Sequence, residues 1–177
     1  ILESDAWYHL VARVESKQLT LFVDGAQQAD TDTYTGSIEV ELDHETTISG
    51  MKNGNGDFTS EISGNIDDVR IYSRALTADE ITRLYNATRP SHANKTRRDS
   101  LTDGLVGYWD FDGPNVTDTT VSDVSGNSND GTIQGNAGPA RGRIGQAFEF
   151  DGDGDYVYAA VGNLPNQYTI AGWVKTG

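Results

Sequence analysis

Carboxylates and amides crowd the turn-like stretches of this chain: Asp110, Asp112, Asp118, Asp123, Asn127, Asn129, Asp130, Asp151, Asp153 and Asp155, with Asp67 and Asp68 further back. Mixed with the carbonyls that turns expose, such side chains suit a hard cation such as calcium, which takes about six to eight oxygens at roughly 2.3 to 2.6 Å. The same residues also form turns unaided, because their short polar side chains bond to nearby backbone and tolerate left-handed conformations. Spacing alone leaves both readings open. One arrangement is excluded. If Asp151 opened an EF-hand loop, the glycine of that loop would fall on Tyr156 and its closing glutamate on Gly162.

Nucleophilic chemistry has little to work with. His9, His44 and His92 stand apart from one another, and no serine, histidine and aspartate grouping is visible. His9 sits inside a strand-like run and reads as a packed strand residue. Trp7, Trp109 and Trp173 could stack on sugar rings, but each falls within an apolar strand pattern, which favours the core. Cysteine is absent, so neither disulfides nor thiolate metal sites hold this fold.

The elements that must position these residues are short. Residues 9–14 and 18–23 are strands joined by a hairpin connection, with Leu19, Leu21 and Val23 on one face of the second and Thr20 and Phe22 on the other. Asp24-Gly25 supplies a turn, and the polar residues 26–35 predict a loop. Residues 39–48 alternate in part, with Ile38, Val40, Leu42 and Ile48 inward, until Asn53-Gly54 and Asn55-Gly56 force a turn. Residues 66–72 are the strongest strand of this half. Strict alternation sends Asp67, Val69 and Ile71 to one face and Ile66, Asp68, Arg70 and Tyr72 to the other. A carboxylate among apolar neighbours there needs a cation or hydrogen bonds.

At Thr77 the period changes. Thr77 and Glu80 make a capping box, and Ile81, Leu84 and Tyr85 recur at helical spacing, which predicts one helix over residues 77–86. Residues 87–102 have almost no apolar content and predict an exposed linker. Beyond it, residues 105–111, 131–134, 147–150, 156–159 and 169–175 are short strands bounded by Gly, Asn or Asp.

The chain has 177 residues, enough apolar material for a real core, and length alone does not choose between one domain and two incomplete ones. Its 13 basic and 27 acidic residues give a net charge of −14, which argues against nucleic acid and anionic membranes as partners, because like charges repel at contact. No run approaches the roughly 20 apolar residues a membrane-spanning helix needs, so membrane insertion is not expected.

Several stretches carry a family resemblance. WYHLVARVESKQLTLFVDG, from Trp7, and GNIDDVRIYSRALTADEITRLYN, from Gly64, come first in the chain. LVGYWDFDG, VSDVSGNSNDGTIQG, GRIGQAFEFDGDGDYV and YTIAGWVKTG follow, from Leu105, Val121, Gly142 and Tyr168. Together they closely resemble the laminin-G-like, concanavalin A-like jelly-roll domains found in tandem on bacterial surface proteins. The order is reversed: residues 1–88 look like the C-terminal half of such a sandwich, 89–102 like a linker, and 103–177 like an N-terminal half. The resemblance therefore implies a slice across a repeat array, or a permuted domain. The expected fold is all-β, an antiparallel β-sandwich of jelly-roll type with one short helix. It is either permuted or completed by a neighbouring chain, since the middle strands of the family pattern have no obvious counterpart here.

The resemblance also implies chemistry. Similar domains often hold calcium through the D-x-SGN turn and the aspartate of the I-D-[DE]-V-R-I-Y strand, which here are Asp123, Asn127 and Asp67, with Asp112 and Asp151 as further candidates. A non-catalytic, extracellular, calcium-stabilised module for adhesion or glycan binding is the function implied, its partner a glycan or a surface protein. Alternatively, strand exchange between copies would build a head-to-tail filament, a homo-polymer made by strand complementation. The segment Glu41-Leu-Asp43-His-Glu45 resembles the catalytic signature of laminarinase-type hydrolases. Retaining chemistry, however, brings two carboxyl groups to about 5 to 5.5 Å, whereas residues four apart on a strand lie roughly 13 Å apart.

Overall fold

The computed structural model describes residues 3–33, 45–52, 58–59, 62–87 and 100–177. In chain order the strands of the first half are β1 (Tyr8–Glu15), β2 (Gln18–Val23), β3 (Ala26–Thr33), β4 (Glu45–Ile48), β5 (Met51–Lys52), β6 (Phe58–Thr59) and β7 (Ser63–Tyr72), followed by α1 (Ala78–Ala87). The second half supplies β8 (Leu105–Trp109), β9 (Thr120–Val121), β10 (Gly131–Gln134), β11 (Gly138–Arg141), β12 (Gln146–Asp151), β13 (Tyr156–Ala160) and β14 (Tyr168–Thr176).

The two halves close into one antiparallel sandwich within a single chain. The larger sheet runs β11-β12-β7-β14-β1-β2-β3, with β8 also paired to β7, and the smaller runs β4-β13-β10-β9. On one side β7 pairs with β14; on the other, Ser63 to Ile66 pair with β12 and Val69 to Tyr72 with β8. The first and the last of these strands, β1 and β14, pair directly from Tyr8↔Val174 to Val14↔Tyr168.

Two apolar layers hold the body together. Between the sheets, Ile66, Val69, Ile71, Trp109, Phe111, Phe148, Phe150 and Val157 form the main core. On the opposite face of the larger sheet, Val11, Phe22, Tyr72 and Ala171 pack against Leu76, Ile81 and Leu84 of the helix segment. Trp109 and Trp173 are buried as expected, whereas Trp7 is only half-buried.

Local chemistry explains the boundaries. Ser16 and Lys17, with φ of 50° and 64°, form the tight turn whose twist matches a two-residue hairpin. The capping box is present, with Glu80 N donating to Thr77 Oγ1 at 3.2 Å and Thr77 N to Glu80 Oε2 at 2.9 Å. Arg74 grips the same carboxylate through both terminal nitrogens, at 2.8 and 2.9 Å. Thr77→Ala is expected to lower stability by about 1 kcal/mol in urea denaturation; an unchanged midpoint would show that the Arg74–Glu80 pair holds the turn alone.

Four expectations need correction. Residues 26–33 are not loop but the edge strand β3: pairing with β2 satisfies the backbone, and an edge needs no apolar face. Alternation along β7 is broken by a bulge, where Asp68, at φ 55°, and Val69 oppose Gly172. Asp67 therefore sits beside Trp173 on the helix-side face, while Ile66, Val69 and Ile71 share the core face. Residues 100–102 are a 3-10 turn with Leu101 packed on the helix-side cluster, so the stretch read as an exposed linker ends sooner; its residues 88–99 lie outside the described residues. Strands β9 and β11 were unforeseen, and β11 carries Pro139, which an edge strand tolerates because no ladder donor is needed there. The part of the alternating stretch before Glu45 and the two Asn-Gly pairs also lie outside the described residues, as do His44 and His92.

Candidate functional site

The loop of residues 142–145 is laid onto two carboxylates. Asp67 Oδ2 accepts from Arg143 N at 2.8 Å and Ile144 N at 3.1 Å, and Asp112 Oδ1 accepts from Gln146 N at 2.8 Å. Both ends of the loop are glycine for a steric reason: a Cβ at Gly142 would lie 2.7 Å from Asp67 Oδ2, and one at Gly145 within 2.1 Å of Asp112 Oδ1. Asp67 is 0 % exposed, and its Oδ1 has no partner. Burial pushes its carboxyl up to about 7; the Ile144 and Arg143 amides pull the other way, and the charges of Asp68 and Asp112 add to the rise.

Beside this corner lies a polar cavity of about 250 Å³ lined by Asp68, Arg70, Ala87, Tyr108, Asp110, Asp112 and Ile144. Its walls are rigidly paired. Tyr108 Oη donates to Asp68 Oδ1 at 2.5 Å, Arg70 reaches the same oxygen at 3.2 Å, and the Arg70 guanidinium lies 3.9 Å over the Tyr108 ring. Burial, with the Asp68 carboxylate, raises the Tyr108 hydroxyl above its ordinary range, although Arg70 opposes this. Asp110 takes both of its oxygens to Asn115 Nδ2, and its Oδ1 also accepts from Asp112 N.

Of the five sequence-predicted ligands, the fold brings two together, Asp67 and Asp112. Asp123 lies elsewhere, and its acceptor positions are filled: Oδ1 by Tyr108 N and Ser125 N, Oδ2 by Ser125 Oγ and Asn129 N. Burial works against its charge, but these donors outweigh it and hold the carboxyl below its usual range. Asn127 turns its amide nitrogen to the carbonyls of Leu105 and Val106, and Asp151 Oδ1 accepts from Asp153 N in an aspartate turn. The D-x-SGN segment is thus a turn that fastens β8 to the loop before β10, with no acceptor of Asp123 to spare. Among the described residues no three His, Asp or Glu side chains converge as a metal-holding group.

Asp155 was missed as an anchor; it is buried and bonds Asn136 N and Asp151 N. Arg70 was missed as a cavity wall, and only the bulge at Asp68, which sequence pattern does not mark, could have revealed its face. Buried polar atoms without partners also gather on this side of the larger sheet: His9 Nδ1 and Nε2, Arg13 Nε, Asp67 Oδ1, Arg70 Nη1, Tyr72 Oη and Arg143 Nε. His9 is enclosed by Tyr85 and Trp173, with ring centroids at 5.9 and 5.2 Å, and Arg143 caps Trp173 at 4.8 Å. The catalytic-type carboxylates Glu41, Asp43 and Glu45 fall outside the described residues, apart from the backbone of Glu45 at the start of β4.

A family model described as the concanavalin A-like lectin/glucanases superfamily matches residues 1–82. The match over residues 1–82 supports a laminin-G-like, concanavalin A-like reading and accords with the antiparallel sandwich; residues 103–177 take their place by strand pairing with the matched part. No curated protein and no solved structure matches the chain.

Proposed function

We propose that the chain is a non-catalytic extracellular module that binds a glycan in adhesion, with calcium held at the corner formed by Asp67 and Asp112. The observation that carries this reading is the 250 Å³ cavity in which the carboxylates of Asp68, Asp110 and Asp112 meet the Arg70 guanidinium. Sugar hydroxyls both donate and accept, so fixed acceptors beside a fixed donor suit them. Support for a non-catalytic role comes from the pinning of each cavity carboxylate by its own partners. The carboxylate with raised proton affinity, Asp67, is buried.

This reading puts calcium at the Asp67–Asp112 corner rather than at the D-x-SGN turn. Asp67 Oδ1 is a buried oxygen without a donor, the kind of atom a cation relieves, and Asp112 binds the same loop. A bound ion would supply positive charge to both. Asp123, Asn127 and Asp151 contribute turn geometry to the same frame. The acidic balance of −14 and the absence, among the described residues, of any helix long and apolar enough to cross a membrane accord with a surface-borne module.

Titration calorimetry after screening on a glycan array tests the reading. Binding is expected for at least one neutral oligosaccharide, weakened at least about tenfold by Asp110→Ala; silence across the array overturns it. For the ion, melting temperature is expected to rise in millimolar calcium relative to EDTA, and Asp67→Asn to remove that rise. Asp123→Ala should destabilise equally in both conditions, since its role is the turn.

A further inference from the structure

A groove of about 420 Å³ runs between the β9 end of the smaller sheet and the β11 end of the larger. Its floor is Phe148, 1 % exposed in the main core; Val116, Ile133 and Ala137 are half-buried against the same core, and Pro139 is exposed at the lip. Thr117, Asp118 and Gln146 form a polar rim, all three exposed. These walls come from residues 113–148, which are described without a break. The undescribed stretch 34–44 joins β3 to β4, the strands at the opposite ends of the two sheets.

The rim is preformed. Thr117 Oγ1 accepts from Thr120 N at 3.0 Å, Ile133 N donates to Thr119 O at 2.9 Å, and Val116 bridges Val121, so Asp118 sits in a turn fixed on both sides. Asp118 is the charged side chain of this lining and enters no ion pair among the described residues. Arg141 shares the core-side face of β11 with Pro139 and stands opposite Gln146.

We propose that the groove binds a primary ammonium carried on an unbranched apolar stem, the chemistry of an alkylamine or of a lysine side chain. A floor of aliphatic and aromatic carbon asks for methylenes, and a rim carboxylate without a cation of its own asks for a positive end; a stem ending in ammonium meets both demands. Like charges repel, so Arg141 leaves Asp118 as the place for the ammonium, and an anionic head group is turned away there.

The probe is hexylammonium chloride, titrated into the full chain at constant ionic strength and followed by NMR. Saturable shifts are expected at Val116, Ile133 and Ala137. Butylammonium, with its shorter stem, should bind about tenfold more weakly, and hexanoate more weakly still. Asp118→Asn should weaken hexylammonium about threefold and Arg141→Gln should tighten it, with melting temperatures unchanged because both side chains are exposed. Nα-acetyl-lysine methylamide binding more tightly than butylammonium, whose stem it shares, names a partner polypeptide as the source, and equal binding names a free amine; both sustain the proposal. Equal binding of hexylammonium and butylammonium means a counter-ion held by net charge alone, and overturns it. So do equal binding of hexanoate, shifts confined to other parts of the chain, and unchanged binding by Asp118→Asn.

Discussion

In EDTA at pH 8, Asp67→Asn is expected to be more stable than the unmodified chain, the gap narrowing as pH falls and closing near pH 4. Asp67 has an ordinary value of 3.8 and is raised to about 7 in the fold, chiefly by burial. A carboxyl raised in this way favours folding while protonated, and that contribution is lost as pH climbs from about 4 through 7. Roughly three units correspond to at most about 4 kcal/mol. Asparagine keeps an acceptor for the Arg143 and Ile144 amides and places no charge at the orphan position.

His9 works in the opposite direction. Burial, and then the charge of Arg70, lowers it from 6.5 to about 4. Its neutral form is the one the fold accommodates, so its contribution is present above about 6.5 and is lost as pH falls toward 4, a loss of about 3 kcal/mol at most. Over pH 4 to 6.5 the two residues oppose each other, and the unmodified chain should show a flatter stability profile than either variant. His9→Phe should grow steadily more stable as pH falls through this range, and Asp67→Asn steadily less. Urea midpoints at half-unit pH steps would reveal this, and parallel profiles for all three chains would dismiss the opposed pair.

Trp109→Ala is expected to cost about 4 kcal/mol, enough to threaten folding altogether. Trp109 is 0 % exposed in the main core, and its Nε1 donates to Asn129 O at 3.0 Å, so its removal leaves both a cavity and a part-buried carbonyl without its donor. Leu21→Ala, by contrast, removes a side chain that is 44 % exposed and should cost less than about 1 kcal/mol. A loss as large as that of a core deletion would show that Leu21 is covered in solution.

Much of the fold was legible because its signals are local. The hairpin β1–β2 follows from a two-residue turn between alternating runs, and the helix from Thr77 and Glu80, whose mutual bonds involve only residues three apart. The hydrogen bonding of Asp123 was not legible, because cation and turn use the same side chain. Its partners come from residues as distant as Tyr108, which only the fold brings near.

The sequence by itself determined the class of this protein, since alternation, turn residues and capping pairs are written in neighbouring positions and bias the chain before it folds. Tertiary structure alone decided the rest. A bulge at Asp68 turned Asp67 and Arg70 to the helix side of the sheet, and loop 142–145 came to rest on Asp67 and Asp112. Pairing of β14 with β1 joined two halves that stand at opposite ends of the chain. Those outcomes depend on contacts between residues far apart in sequence, where burial and strand register fix which face a side chain takes, and no local pattern encodes them.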